Sequence, residues 1–185
     1  MNSIHLARTL SECDRIAGVV IGMGKEWIAS LAQDIQQKGH EAAENYGRSQ
    51  HQLEIITTQG KPFYTAFVIS LEEDVNEIKR QLQGDVTSSD TTFQTVNPTE
   101  VKLTRSRFPW FDARITHQDP IIVLDYAKGL GVAGDPTLDR KTCHFAFHVS
   151  DEDALSIQES FGENPRRFHQ PEDLARHIVE LLFKL

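Results

Sequence analysis

Cysteine is scarce in this chain. The two cysteines, Cys13 and Cys143, stand far apart and form no metal-type spacing. That excludes a disulfide scaffold and a zinc-ribbon type of site, and suits a reducing compartment. Positive charge is also short, with 19 Lys and Arg against 27 Asp and Glu and a formal charge of −8. A dedicated duplex nucleic-acid binder would carry a basic excess, so that class is argued against, while a local basic patch remains compatible. Long apolar runs are missing as well. The patch Ile16–Gly24 is too short to span a bilayer and follows Glu12 and Asp14, which speaks against a membrane helix or a signal peptide. A cytoplasmic protein is expected. No nucleophile elbow, P-loop or cysteine-protease pair is present.

What the chain does have is the ordinary material of a folded protein: 185 residues, 39% hydrophobic and 25% charged. This is enough for one domain with a real core. Residues 1–47 read as a helical N-terminal segment. Ile16, Val20, Met23, Trp27, Leu31 and Ile35 fall on one helical stripe, with breaks expected near Gly24 and Gly39. Residues 51–185 read as a sheet-containing core. Leu53–Thr58 and Phe63–Ile69, separated by Gln59-Gly60-Lys61-Pro62, suggest a hairpin. A helix is expected over 71–83, started by a capping box at Ser70 and Glu73. Strands are expected near Thr92–Val96 and Val101–Phe108, with residues 84–90 as a loop.

The centre of the pattern is Trp110–Pro136. Phe111, Ala113 and Ile115 alternate with Asp112, Arg114 and Thr116, as in a strand with one wet face. A turn at Gln118-Asp119-Pro120 leads into Ile121-Ile122-Val123-Leu124, the most apolar run, which reads as a strand buried on both faces. Cys143–Val149 continues as strand. Ser150 and Asp153 suggest a capping box for a helix over 151–160, Arg166–Phe168 a short strand, and Pro171–Leu185 an amphipathic helix. The segments 66–73 and 146–153 echo one another at an offset of 80 residues. The expected fold is a single α+β domain over 1–185: a mixed, mostly antiparallel sheet of about six strands, helices packed on it, and the N-terminal helical segment.

Candidate site residues gather around the central strands. Gly129, Gly131 and Gly134 match G-x-G-x-x-G after a strand, with Asp151 downstream. The short distance to the next strand leaves little room for the crossover helix of a dinucleotide site and favours a glycine loop able to form an anion nest. Asp112, Asp125 and Lys128 invite comparison with metal-dependent nucleases, although Asp125 and Lys128, three apart, point to opposite faces of a regular strand. His144 and His148 lie on one face about 13 Å apart, too far to chelate one metal. His40-Glu41-Ala42-Ala43-Glu44 lacks the second His of a zinc-protease helix. No metal site is expected and no cofactor is identified. Lys102, Arg105, Arg107, Trp110 and Arg114 mix cations with aromatics, as interfaces and anion sites do. The function read from this set is a cytosolic binding or regulatory protein without turnover. Arg105, Arg107, Trp110, Arg114 and the three glycines would hold a protein partner or an anionic small molecule. The alternative is an enzyme acting on phosphate esters through Asp112, Asp125, Lys128, His144 and His148.

Overall fold

The computed structural model describes residues 6–82, 90–106, 109–129, 139–160 and 165–184, with side chains placed from residue 25 onward except at 139. Arg107, Gly131 and Gly134, and most of the expected 84–90 loop, lie outside them. The chain divides into two compact units, Met1–Gln50 and His51–Leu185. Helix α1 is Leu6–Gln81.

Within the first unit the expected breaks at Gly24 and Gly39 are absent and residues 6–50 are helical. Single glycines cost a helix only about 1 kcal/mol each against Ala. In the second unit, the expected hairpin over 53–69 is also helix, and the Ser70 capping box lies inside it. The stripe Phe63, Phe67, Leu71, Val75 explains why. Four apolar side chains at steps of four make one buried helical face, and burial outweighs local β-propensity. Pro62 is exposed and sits inside the helix, where the donor it lacks leaves the Thr58 carbonyl without its usual partner. Thr57 and Thr58 each fold a hydroxyl back onto the carbonyls of Leu53 and Glu54 at 2.8 Å.

Seven strands follow among the described residues: β1 (Thr91–Asn97), β2 (Glu100–Arg105), β3 (Trp110–Gln118), β4 (Ile121–Gly129), β5 (Asp139–Val149), β6 (Leu155–Glu159) and β7 (Arg167–Phe168). They form one sheet in sequence order, and every neighbouring pair is antiparallel. The sheet is therefore a meander of seven strands rather than the mixed sheet of about six expected. The aliphatic run occupies its middle strand, with Ile122, Val123 and Leu124 all buried. A cis Asp119-Pro120 bond closes the β3–β4 turn.

The expected helix over 151–160 does not form. Ser150 and Asp153 build the tight β5–β6 turn instead: Ser150 Oγ accepts from the amides of Glu152 and Ala154, and Asp153 takes a φ of 60°. An Ser-x-x-Asp sequence serves a turn as readily as a helix start, because both need a side-chain oxygen aimed at nearby amides. The 66–73 segment is helix while 146–153 is strand and turn, so their sequence echo has no structural counterpart. The pairing of β4 directly to β5 in antiparallel sense also removes the dinucleotide reading of 129–134, which requires parallel strands joined by a helix.

Alternation gives the sheet two unlike faces. Val101, Leu103, Phe111, Ala113, Ile115, Ile122, Leu124, Phe145, Phe147 and Ile157 share one buried cluster with α1 side chains and with helix α2 (Pro171–Phe183). Phe63 meets Phe147 edge-on at 5.7 Å, and Phe183 meets Phe111 at 5.0 Å. Gly60 allows the close approach, since a Cβ there would stand 3.4 Å from the Phe147 ring. The opposite face carries Lys102, Asp112, Arg114, Asp125, Arg140 and Thr142 and remains open.

Candidate functional site

The strand registry places the open-face side chains in rows. Lys102, Arg114, Asp125 and Thr142 are successive cross-strand partners across β2 to β5. The next row is Thr104, Asp112, Ala127 and Arg140, and beyond it Trp110 pairs with Gly129. The middle strand thus contributes only Ala127 and then Gly129 where its neighbours carry long side chains. The result is a depression of about 470 Å³ with Ala127 on its floor and Trp110, Asp112, Arg114, Asp125 and Arg140 in its lining. Its volume is that of a small-molecule site.

The charges in the lining are partly committed to one another. Lys102 Nζ lies 3.6 Å from Asp112 Oδ1, and Arg114 Nε lies 3.1 Å from Glu100 Oε1. Thr142 donates to Asp125 Oδ1 at 2.6 Å. Arg140 has no ion-pair partner among the described residues and is exposed at the rim. On this face the side chains of Lys102, Arg114 and Arg140 stand against those of Asp112 and Asp125, three cations to two carboxylates in a chain whose net charge is −8. Trp110, half-buried, offers an aromatic wall to a second depression of about 430 Å³ that also includes Thr92, Thr104 and Asp112. Among the described residues no group of three His, Cys, Asp or Glu side chains is placed to hold a metal ion.

The residues singled out from sequence divide between the faces. Asp112, Trp110, Arg114 and Asp125 meet in the depression, and Gly129 lies opposite Trp110. Lys128 points to the covered face, where its ammonium donates to the carbonyls of Leu181 and Lys184 at the end of α2. Burial, and secondarily the charge of Lys141, holds its pKa below the usual lysine value. Arg105 is buried on the covered side, with its guanidinium 5.4 Å over the Phe183 ring. His144 is half-buried opposite Val123 on the open face, and exposed His148 lies opposite Ser156. Since Asp125 pairs with Thr142, His148 lies six residues farther along β5, roughly 20 Å away at the usual rise. Sequence reasoning missed Arg140, Lys141 and Thr142, because β5 begins at Asp139 rather than at Cys143. The alternation of Arg140, Thr142 and His144 was the available signal.

Besides Lys128, Tyr64 and His177 have clear physical perturbations. Tyr64 is buried with its hydroxyl lacking a hydrogen-bond partner among the described residues, and its ring stacks on His117 at 5.0 Å. Burial, with a smaller push from Glu100, raises its pKa to about 12. His117 Nε2 lies 2.9 Å from Asp119 Oδ1 without the alignment of a hydrogen bond. His177, beside Phe168 and in contact with Arg166 Nη1 through Nδ1 at 2.9 Å, has its pKa lowered by burial and then by that cation.

Comparison with protein-family models, with curated proteins and with solved structures finds no match.

Proposed function

We propose that the chain is a cytosolic binding protein whose open sheet face holds a small anionic molecule without turning it over. The observation that carries this reading is the depression above Ala127, where Arg140 stands at the rim without an ion-pair partner among the described residues and Trp110 forms a wall. Arginine's planar fork suits carboxylate or phosphate, and an aromatic wall accepts a flat or apolar ligand body. Lys102 and Arg114, already engaged with Asp112 and Glu100, lend a positive field and exclude competing cations. The separation of Asp125 from His148 supports binding over phosphate-ester hydrolysis, since an acid–base pair works within hydrogen-bond reach or across one water.

Thermal-shift and calorimetric titrations with inorganic phosphate, citrate and adenosine monophosphate test the proposal. A ligand present at 100 times its Kd raises stability by about 2.7 kcal/mol. Arg140→Gln, which removes the charge, and Ala127→Met, which fills the floor, are each expected to abolish the shift while leaving the unliganded melting temperature within a degree or two. If none of the three anions stabilises the protein, or if Arg140→Gln retains full affinity, the reading fails.

A further inference from the structure

Residues 25–50 of α1 carry an apolar band that is exposed among the described residues. Trp27, Ile28, Leu31, Ile35 and Tyr46 are 61%, 52%, 48%, 62% and 68% exposed. Leu31 and Ala42 are eleven residues apart, as are Ile35 and Tyr46. Eleven residues make three turns at 3.67 residues each, so the band runs almost straight along the helix for about 29 Å between Trp27 and Tyr46. An isolated helix gains little stability from propensity alone and normally packs such a band against something. Buried between two molecules, these side chains would remove on the order of 1,000 Å² from water, the lower bound for a specific interface.

The distribution of size and charge beside the band says what fits it. We infer that the partner is a second copy of this helix, lying antiparallel across a twofold axis between Gln36 and Gln37. In this register large faces small, Leu31 against Ala42 of the other copy, and Trp27 faces Tyr46. One margin of the band is charged, with Glu26, Asp34, Lys38, Glu41, Glu44 and Arg48; in this register Glu41 and Glu44 fall opposite Gln33 and Ser30 of the other copy and meet no like charge. Antiparallel helices bring the same margin together, so Glu26 meets Arg48 and Asp34 meets Lys38, each pair occurring twice by symmetry. The other margin is small and, apart from Lys25, uncharged, with Ala29, Ala32, Gly39 and Ala43. A Cβ at Gly39 would meet nothing within 4 Å, so the backbones can approach closely along that side. A parallel pair would instead set the charged margin against the small one and leave the Glu26, Asp34, Lys38 and Arg48 charges without these partners.

Sedimentation of the 185-residue chain at concentrations from roughly one to one hundred micromolar tests this. A concentration-dependent dimer is expected. Ile35→Glu should weaken association by at least roughly tenfold with unchanged helical circular dichroism, because the position is exposed in the single chain. Orientation is read by charge exchange: Asp34→Lys should weaken the dimer, and Asp34→Lys with Lys38→Asp should restore it. A chain that stays monomeric throughout overturns the inference. So does a dimer indifferent to Ile35→Glu, or a monomer that binds phosphatidylglycerol vesicles through Ile35. None of these outcomes touches the anion site, whose test reads Arg140 and Ala127 alone.

Discussion

Lys128 and Tyr64 show how far a residue's type leaves its job open. In sequence, Lys128 three places after Asp125 looks like part of a catalytic set; in the structure it closes the end of α2 by donating to the Leu181 and Lys184 carbonyls. A cation there meets the negative end of the helix dipole and carbonyls with no helical partner. Lys128→Met is therefore expected to destabilise the protein by about 1 kcal/mol in urea unfolding without altering ligand binding. Tyr64 behaves in the opposite way. Its buried hydroxyl lacks a partner among the described residues, so Tyr64→Phe should stabilise the fold by about 1 kcal/mol and remove a phenol that ionises above the usual tyrosine range in an alkaline absorbance titration. His177 gives a pH signature. Its folded pKa is below the ordinary histidine value, so the unfolded chain takes up the proton first. The stability it contributes is complete above about pH 6.5 and is lost as pH falls through the lower folded value. Replacing His177 with Phe should flatten the fall in urea midpoint between about pH 7 and pH 5.

At the level of elements, the clearest misreading is the 53–69 hairpin. Gly60-Lys61-Pro62 between β-branched residues looks like a turn, yet the same residues carry a period of four from Phe63 to Val75, and that longer pattern decides the outcome. The strands β1 to β4, the short β7 and helix α2 were legible because each has its own period and its own boundary. The 151–160 helix was not, since the polar groups that start a helix also build a tight hairpin turn. Gly60 offers a test of the helix reading. Its Cβ position is in ordinary contact with Phe147 at 3.4 Å, so Gly60→Ala should raise stability by up to about 1 kcal/mol through helix propensity. Gly60→Leu should lower it by more than that, through overpacking against the ring. Paired chemical denaturation of the two variants separates a helical Gly60 from a turn glycine, where Ala would be costly.

Across the whole molecule, the sequence foretold a central buried strand but not where the site would lie. The glycine loop after β4 was expected to help hold the ligand; the depression opens on the sheet's free face, over Ala127. That location depends on which residues stand opposite one another across four strands, a registry that a single sequence does not display. Trp110, Asp112, Arg114 and Asp125 could be named in advance because they fall on one alternating strand or its immediate partner, whereas Arg140 enters only through the β4–β5 pairing. The division into Met1–Gln50 and His51–Leu185 carries its own expectation. Limited proteolysis should cut first within residues 25–50 when self-association is blocked by Ile35→Glu, leaving a resistant fragment that begins near His51 and unfolds cooperatively.

The seven strands are hydrogen-bonded in the order in which they are synthesised. Each new strand emerging from a ribosome finds its edge already waiting in the strand just before it, and no distant part of the chain has to be recruited to complete a ladder. Local pairings of this kind keep loop-closure costs small and assembly fast. Helix α2 is made after the strands it must cover, which leaves Phe111 and Phe145, the rings that Phe183 and His177 meet, in contact with water until it docks.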